Sequence, residues 1–328
     1  MVYLSVIYNL HKAMKKNKSI IFQHDFLVLV LLLIIFPGVI TAQENSYNNF
    51  RRGAVGDGCE TCTDPAYRVT DLLPEGSFTK GMEGPAVDKK GNLYAVNFRE
   101  QGTIGVVTPE GIVSEFVMLP QGSVGNGIRF GSDGKMYIAD YTKHNILRVN
   151  PDNRQIEVYA HNPAMNQPND LTISPFSGII YASDPAWRDS TGMLWMITLD
   201  RKVTLLEKNM GTTNGVEVSP DGKLLYVNES IQRNVWVYDI LPDGNVAGKR
   251  LFYKFDDFGM DGMRCDPAGN LYITRHGKGT VVKLSPSGTI TAEYLLKGKL
   301  PTNITFSNDY KKAYVTLADR GCFEVLEF

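Results

Sequence analysis

The stretch from Glu83 to Ala95 reads EGPAVDKKGNLYA, and its pattern returns five more times along the chain. Each copy contains a polar residue, a turn-forming residue, a short apolar strand, a loop rich in Asp and Gly, and a second strand. The polar residues that lead the copies are spaced 41 to 47 residues apart. They are Glu83, Asn126, Asn169, Asn214, Asp261 and Thr302.

Repeats of this length that are built from strands are typical of β-propellers, because each blade buries its faces only against its neighbours. Six copies within 328 residues therefore predict an all-β fold, a six-bladed β-propeller over residues 67–328. The last copy is one strand short, whereas the segment from Tyr67 to Leu73 precedes the first copy without an inner partner. We expect this N-terminal strand to pair with the C-terminal strand and close the last blade, since an open ring would leave unpaired edges.

Residues 1–42 do not match the repeat and are predicted to be a signal peptide. Lysines precede an unbroken apolar run from Phe26 to Phe36, and the small residues Thr41 and Ala42 then offer a cleavage point. A run of about 11 apolar residues is shorter than the about 20 that a membrane-spanning helix needs. We therefore expect a secreted or periplasmic protein with no membrane association after cleavage; a retained N-terminal anchor is the alternative. Either Met1 or Met14 is the start of the protein.

Residues 43–66 are predicted to be a linker that contains the motif Cys59-Glu60-Thr61-Cys62. Export permits disulfides, and the pairing of Cys59, Cys62, Cys265 and Cys322 stays open. The formal net charge is −1, with acidic and basic residues interleaved along the chain. This pattern argues against nucleic acid as a partner, and the oligomeric state is left open.

The six leading residues are expected to form one ring, because residues at the same repeat position of a propeller converge on its axis. All six side chains carry oxygen, and Glu83 and Asp261 are carboxylates. Asn-Gly and Asp-Gly pairs are also strong turn signals. A simple turn between blades is therefore the alternative for Asn126-Gly127, Asn214-Gly215 and Asp261-Gly262.

The composition of this ring favours a hard metal ion. Two carboxylates in one narrow channel repel each other and are driven towards protonation, and a divalent cation would balance their charge. Oxygen donors without His or Cys favour Ca²⁺ over Zn²⁺, with Mg²⁺ and Mn²⁺ as alternatives. The sequence therefore predicts one divalent cation, most readily Ca²⁺, on the axis of the propeller.

A second, outer ring of candidate substrate contacts comes from the ends of the second strands, which run back towards the same face. These ends are Asn97-Phe98, Asp140-Tyr141, Ser183-Asp184, Asn228-Glu229 and Arg275-His276. His276 is a candidate general base, although a solvated rim histidine is the commoner case. Trp187 and Arg188, in the loop after Asp184, are candidates for one wall of a pocket.

Over residues 67–328 the chain resembles the SMP-30/gluconolactonase/LRE-like family of six-bladed propellers, which is related to calcium-dependent lactonases. The motifs that carry the resemblance are Glu83-Gly84-Pro85, Pro168-Asn169-Asp170-Leu171, Ser183-Asp184-Pro185, Asn214-Gly215-Val216 and Asp261-Gly262-Met263. The resemblance implies that Glu83, Asn214 and Asp261 bind one divalent cation. It also implies that Asn169 binds the cation or contacts the substrate, and that Asn126 is a neighbouring position.

The predicted function is a metal-dependent hydrolase that opens a lactone, a cyclic ester. Asp261 is the predicted general base or nucleophile. The predicted substrate contacts are Asn126, Asn169, Asp184 and His276. A non-catalytic propeller that binds a ligand or a partner protein, with a structural ion, is the alternative from a different class. Hydrolysis of a phosphoester or an organophosphate is the nearest enzymatic competitor.

The resemblance has two departures. Gln167 stands where the vertebrate sugar lactonases of the family have an Arg, which argues against a strongly polar sugar lactone as the substrate. Asn126 stands where the paraoxonases have a His, which argues against a mechanism based on a pair of histidines.

Overall fold

A computed structural model describes residues 67–328, which form twenty-four β-strands and no helix. No helix in this part of the chain is therefore long and apolar enough to cross a membrane. The predicted signal peptide, the predicted linker and its two cysteines lie outside the described residues. Within residues 67–328, Cys265 and Cys322 are buried free thiols.

The strands form six antiparallel sheets of four strands each, arranged as the blades of a β-propeller. The first strand is β1 (Arg68–Asp71). Blade 1 contains β2 (Glu83–Val87), β3 (Leu93–Val96), β4 (Thr103–Val107) and β5 (Val113–Met118). Blade 2 contains β6 (Gly125–Phe130), β7 (Met136–Asp140), β8 (Asn145–Val149) and β9 (Ile156–His161). Blade 3 contains β10 (Leu171–Ile173), β11 (Ile180–Asp184), β12 (Gly192–Ile197) and β13 (Val203–Met210).

The second half of the ring continues in the same order. Blade 4 contains β14 (Thr213–Val218), β15 (Leu224–Glu229), β16 (Asn234–Ile240) and β17 (Val246–Lys254). Blade 5 contains β18 (Met263–Cys265), β19 (Leu271–Arg275), β20 (Thr280–Leu284) and β21 (Ile290–Leu295). Blade 6 contains β22 (Pro301–Phe306), β23 (Lys312–Leu317), β24 (Cys322–Glu327) and β1. The predicted fold class, an all-β six-bladed propeller, is confirmed.

The turn between the first and second strands of most blades is held by the Asp of the repeat. Oδ1 of Asp88 accepts hydrogen bonds from the backbone N–H groups of Lys90 and Asn92, at 2.8 and 2.9 Å. Asp side chains in the corresponding turns of blades 2, 4, 5 and 6 also accept backbone N–H groups. The Asp recurs because its short side chain satisfies backbone donors that the hairpin leaves unpaired.

Apolar side chains fill the space between adjacent blades. Tyr94 and Ile104 of blade 1 pack against Ile128, Ile138 and Leu147 of blade 2, and all five are buried. Burying one large apolar side chain contributes about 1.5–3 kcal/mol, so each interface between blades is a major source of stability. The second strand β7 is buried along its whole length, whereas the outer strand β5 mixes buried and exposed residues.

The N-terminal strand closes the ring, as predicted. Strand β1 pairs with β24 in antiparallel register, with Arg68 opposite Glu327 and Asp71 opposite Glu324. Each inner strand also contacts the inner strands of both neighbouring blades, and β22 of blade 6 contacts β2 of blade 1. The two ends of the described chain are therefore tied into one blade.

A cluster of charges reinforces this closure. The guanidinium of Arg320, in the turn between β23 and β24, donates to Asp71 at 2.7 Å and to Glu324 at 2.6 Å. Its Nε donates to Glu75 at 2.7 Å. Glu324 is completely buried and also accepts the backbone N–H groups of Lys297 and Gly298. Arg320 therefore joins β1 to the C-terminal strand through a buried carboxylate.

Replacing Arg320 is expected to weaken the closed ring. The substitution Arg320→Met leaves Glu324 buried without its cation, and breaking such a buried pair costs about 3 kcal/mol. The matched control is Arg148→Met, because Arg148 pairs across two strands of blade 2 with the exposed Glu157, and an exposed pair contributes at most about 1 kcal/mol. Urea unfolding of both variants measures the difference. An equal loss of stability in the two variants would contradict this account of the closure.

Candidate metal centre

The leading polar residues of the repeats meet around the axis of the propeller. The backbone N–H of Gly127 in blade 2 donates to the carbonyl of Asn169 in blade 3 at 2.8 Å. In the same way, the N–H of Gly262 in blade 5 donates to the carbonyl of Thr302 in blade 6 at 2.7 Å. The hydroxyl of Thr302 in turn donates to the carbonyl of Met82 at 3.0 Å, just before blade 1. Residues more than 200 positions apart in the sequence are thus neighbours.

The glycines that follow the leading residues permit this close approach. A Cβ atom on Gly84 would lie 1.9 Å from the carbonyl oxygen of Asn126, and one on Gly262 would lie 2.0 Å from Oδ1 of Asn303. No side chain fits at such distances, so these positions require glycine. Asn126-Gly127 and Asn214-Gly215 lie inside β6 and β14. The alternative interpretation of these pairs as turns between blades is therefore wrong.

An irregular strand register accompanies the leading residues of four blades. In blade 1, Glu83 lies opposite Val96 but Ala86 lies opposite Tyr94, so Gly84 and Pro85 together face one residue of β3. Blades 2, 4 and 6 show the same kind of shift one place earlier, where the leading residue and the next residue together face one residue of the second strand. Such β-bulges redirect side chains and are common beside functional sites.

Two carboxylates touch at this point of the ring. The side chains of Glu83 and Asp261 are in hydrogen-bond contact. Burial raises the pKa of Glu83 to about 7, and the charge of Asp170 adds to the effect. Burial also raises the pKa of Asp261 well above its usual value, and the charge of Glu83 raises it further. Bringing both carboxylates together in ionised form is unfavourable unless a positive charge lies between them.

Two amide oxygens complete the set. Oδ1 of Asn169 and Oδ1 of Asn214 are buried and have no hydrogen-bond partner among the described residues. The side chain of Asn214 also hydrogen-bonds to Asp261, which places it beside the carboxylate pair. A buried carbonyl oxygen without a partner costs about 1–3 kcal/mol, and native proteins seldom leave one. A cation that accepts these oxygens would remove that cost.

The donors therefore fit a hard divalent cation. Two carboxylates carry the charge of a 2+ ion, and oxygen-only donors with loose geometry are those that Ca²⁺ prefers. Residues 67–328 contain no group of three or more His, Cys, Asp or Glu side chains that could hold a metal ion. The set is thus completed by amides rather than by a third acidic residue. The roles of Glu83, Asn169, Asn214 and Asp261 as metal ligands stay predictions that this geometry supports.

One neighbour of the ring, Asn303, was missed from the sequence, and another, Asn228, was placed only among the outer candidate contacts. Asn303 donates from Nδ2 to Oε2 of Glu83 at 3.2 Å and so fixes that carboxylate. Asn228 donates from Nδ2 to the backbone carbonyl of Asp261 at 2.6 Å, and its own Oδ1 is buried without a partner in residues 67–328. A signal for Asn303 was present, because it and Asp170 take the repeat position that is otherwise glycine.

Solvent reaches this ring unevenly. Glu83, Asn169 and Asn214 are buried, whereas Asn126 and Asp261 each keep part of their surface exposed. Asn126 donates from Nδ2 to the carbonyl of Asn169 at 3.1 Å, which fixes the orientation of its side chain. Asn126 and Asp261 are therefore the ring members that a molecule from solvent can approach.

Asp184 holds the chain segment that leads into Asn169. Its carboxylate is completely buried and accepts the backbone N–H groups of Asn166 and Gln167 at 2.7 and 2.9 Å. It also accepts a hydrogen bond from Nε1 of Trp195 at 3.2 Å. These bonds hold the segment that leads into Asn169. The contact of Asp184 with substrate stays a prediction, and the structure shows its oxygens occupied by these donors.

His276 lies partly buried at the end of β19, on the face where the inner strands begin. Burial lowers its pKa below the usual value, while Asp319 opposes that shift. The imidazole of His276 is therefore neutral at pH 7 and can accept a proton or a hydrogen bond. On the same face, the side chains of Trp187 and Tyr141 hydrogen-bond to each other and join the loops of blades 2 and 3. The part of His276 in substrate binding stays a prediction.

Known proteins resemble this chain in sequence and in fold. The family model described as SMP-30/Gluconolactonase/LRE-like region matches residues 77–319. A gluconolactonase from Zymomonas mobilis is 30% identical over 230 residues, which are 60% of this chain and 64% of that protein. The match thus covers less than two thirds of that relative.

Two solved structures share the fold. A gluconolactonase from Xanthomonas campestris superposes with a TM-score of 0.70 at 19% identity, covering 81% of this chain and 91% of that one. A calcium-binding protein, regucalcin, from Agrobacterium tumefaciens superposes with a TM-score of 0.68 at 22% identity, covering 80% and 93%. At these identities the likeness concerns the fold alone.

Removing one carboxylate of the axial pair is expected to abolish stabilisation by Ca²⁺. A cation at about 100 times its Kd adds about 2.7 kcal/mol to the free energy of unfolding. Glu83→Gln should remove this gain, and without metal the variant should be at least as stable as the parent because the repulsion with Asp261 is gone. Thermal unfolding in CaCl₂ and in EDTA measures both effects.

The control for this experiment is Glu217→Gln, which removes another buried carboxylate from the channel but lies three residues beyond Asn214 along β14. This variant should keep the gain from Ca²⁺. A full gain in Glu83→Gln would mean that the cation binds elsewhere.

Proposed function

The chain belongs to the SMP-30/gluconolactonase/LRE-like family, and from this membership we propose that it is a metal-dependent hydrolase that opens a lactone. One observation carries the proposal. The carboxyl groups of Glu83 and Asp261 interact at the face where solvent reaches the ring, Asn214 hydrogen-bonds to Asp261, and the amide oxygens of Asn169 and Asn214 have no partner in residues 67–328. A structural role alone does not require two buried acids in contact, because their repulsion destabilises the fold. The similarity to a gluconolactonase over 230 residues points to the same reaction.

Opening a lactone requires a base that activates water and a positive environment for the carbonyl oxygen. When bound, a hard divalent cation would polarise that carbonyl and stabilise the charge that develops on it. The regucalcin that shares this fold is described as a calcium-binding protein, which agrees with Ca²⁺ as the first choice of ion. Mg²⁺ and Mn²⁺ are the alternatives, since they also prefer oxygen donors.

Asp261 is the proposed general base. Its backbone is held on both sides, because its N–H donates to the carbonyl of Thr274 at 3.1 Å and its carbonyl accepts from Asn228. Its carboxylate is oriented by Asn214 and Glu83. A carboxylate fixed in this way can accept a proton from water at a constant position, which is what general base catalysis needs. Direct attack by Asp261 as a nucleophile is the alternative route to the same product.

Asn126 and Asn169 are proposed to orient the substrate. The Nδ2 of Asn126 is engaged by Asn169, so its Oδ1 remains to accept a hydrogen bond from a hydroxyl group of the substrate. Gln167 precedes Asn169 by two residues, and its backbone N–H is held by Asp184. Gln167 is partly exposed. An uncharged amide at this position favours a lactone without a charged or densely hydroxylated ring.

Export of the protein is proposed on the sequence alone, since residues 1–42 precede the described part of the chain. The lysine-rich start and the short apolar run support a secretory signal. An extracytoplasmic compartment would also supply millimolar Ca²⁺, a level at which even weak oxygen sites are filled.

Asp261→Asn is expected to abolish turnover in a protein that still folds. Loss of a general base lowers kcat by about 10²–10⁴-fold. The assay is hydrolysis of a panel of lactones, followed with a pH indicator at saturating Ca²⁺, and circular dichroism verifies the fold. Asp88→Asn is the control, because it makes the same chemical change in a hairpin turn of blade 1. Activity within tenfold of the parent would refute the role of Asp261.

The same panel separates the competing functions. Activity should disappear with a chelator and return with Ca²⁺, more strongly than with Mg²⁺, Mn²⁺ or Zn²⁺. Phosphotriesters and phosphomonoesters are assayed in parallel. If the protein hydrolyses them faster than lactones, its substrate is a phosphoester. A calcium-stabilised protein that hydrolyses none of these compounds would favour the non-catalytic propeller.

A further inference from the structure

A pocket lies at the end of the central channel that is opposite the candidate metal centre. The inner strands begin at the candidate metal centre, and their far ends surround an open cavity of about 260 Å³. The residues that line it belong to blades 1, 2, 4, 5 and 6 and include Arg129, Glu217 and Arg264. These three charged residues occupy one repeat position, three places after Asn126, Asn214 and Asp261. The metal centre does not use them.

Arg129 has a donor that nothing in the described chain satisfies. It is only 7% exposed, and its Nη1 lies 3.2 Å from Oδ1 of Asp170 and donates to the carbonyl of Ile128 at 2.9 Å. Its Nε, however, is buried and finds no acceptor in residues 67–328. A buried N–H of a charged group without an acceptor is costly, so Arg129 carries an unsatisfied donor beside the cavity.

Arg264 presents a second guanidinium to the same cavity. It is 9% exposed and held by backbone carbonyls, with Nε donating to Ile304 and Nη2 to Pro85, each at 3.1 Å. These bonds fix the plane of the guanidinium, and its acidic neighbour Glu217 lies 3.8 Å from Nη1. A guanidinium fixed in this way is prepared to bind the oxygens of an anion.

Glu217 does not neutralise the two arginines by direct hydrogen bonds. Its Oε2 is 3.7 Å from Nη2 of Arg129 and 3.8 Å from Nη1 of Arg264. Its shorter contacts are with neutral donors, the hydroxyl of Thr172 at 3.2 Å and the N–H of Cys265 at 3.2 Å. Among the described residues that line the cavity, two positive charges thus face one negative charge, while Asp170, which pairs with both Nη atoms of Arg129 at 3.2 and 3.3 Å, lies outside this lining.

We propose that this pocket binds a small oxyanion, a carboxylate or a phosphate, between the guanidinium groups of Arg129 and Arg264. The aromatic rings of Phe130 and Phe306 border the same cavity and provide an apolar surface for the remainder of a small organic acid. A volume of about 260 Å³ admits a molecule of that size and excludes a macromolecule. The site is separate from the metal centre, so the proposal does not depend on the proposed lactonase activity.

The test measures binding of two probes, inorganic phosphate and succinate, to the full protein by titration calorimetry. Calcium is kept stoichiometric with the protein so that calcium phosphate does not precipitate. We expect at least one probe to bind with a Kd of about 1 mM or tighter. A Kd weaker than about 10 mM for both probes would overturn the proposal. Binding of succinate alone identifies a carboxylate site, and binding of phosphate alone identifies a phosphate site; either result supports an oxyanion pocket.

Two matched variants locate the binding. Val87→Phe narrows the mouth of the cavity from the end of β2 without removing a charge, and it should weaken binding at least tenfold. Ile173→Phe is the control, because Ile173 takes the same repeat position at the end of β10, outside the described lining of the cavity. Binding that Val87→Phe leaves unchanged, or that both variants weaken equally, would refute the location.

A third variant tests the arginine. Arg129→Lys keeps the positive charge but removes the unpartnered Nε, so it should weaken binding about tenfold while thermal unfolding verifies that the variant is folded. An affinity equal to that of the parent would show that Nε makes no contact with the anion. If Arg129→Lys does not fold, the comparison of Val87→Phe with Ile173→Phe decides the proposal by itself.

Discussion

The contact between Glu83 and Asp261 is the constraint on which the rest of the site depends. The six inner strands approach each other so closely that a Cβ atom on Gly84 or Gly262 would lie 1.9 or 2.0 Å from the neighbouring blade. Burial at this point raises the pKa of both carboxyl groups, and the charge of Glu83 adds to the shift of Asp261. The fold therefore carries an electrostatic cost that a bound divalent cation would convert into stabilisation. Because the two carboxylates meet on the axis where the six blades converge, a cation bound between them would also stabilise the closed ring.

The two ends of the channel differ in charge. At one end, carboxylates and amide oxygens face the axis; at the other, Arg129 and Arg264 face an open cavity. The ion pair between Arg129 and Asp170 lies between them, because Asp170 directly follows Asn169. Arg129 thereby offsets part of the negative charge near the metal centre, and its guanidinium lowers the pKa of Glu83 against the effect of burial. One residue thus takes part in the electrostatics of both ends.

Much of the site could be predicted from repeat positions, because a propeller converts equal sequence position into equal distance from the axis. All six leading residues were placed on one ring on this ground, the family resemblance singled out Glu83, Asn214 and Asp261, and the contacts of these three agree with it. The bonds of Asp184 could not be predicted, since they depend on the path of a loop that no periodic pattern describes. Asn303 was missed for a related reason, because its hydrogen bond to Glu83 crosses the junction of the first and last blades.

The sequence by itself determined the number of blades, their strand order and the closure of the ring, because short apolar strands joined by turns with Asp or Gly are local signals that recur in every copy. Only the tertiary structure showed that the glycines permit the close approach of neighbouring strands and which buried amide oxygens of residues 67–328 lack partners. It also decided where the two arginines lie relative to Glu217. These facts depend on distances between strands that are far apart in the chain. Such distances follow from the packing of six blades against one another, and a linear pattern contains no measure of them.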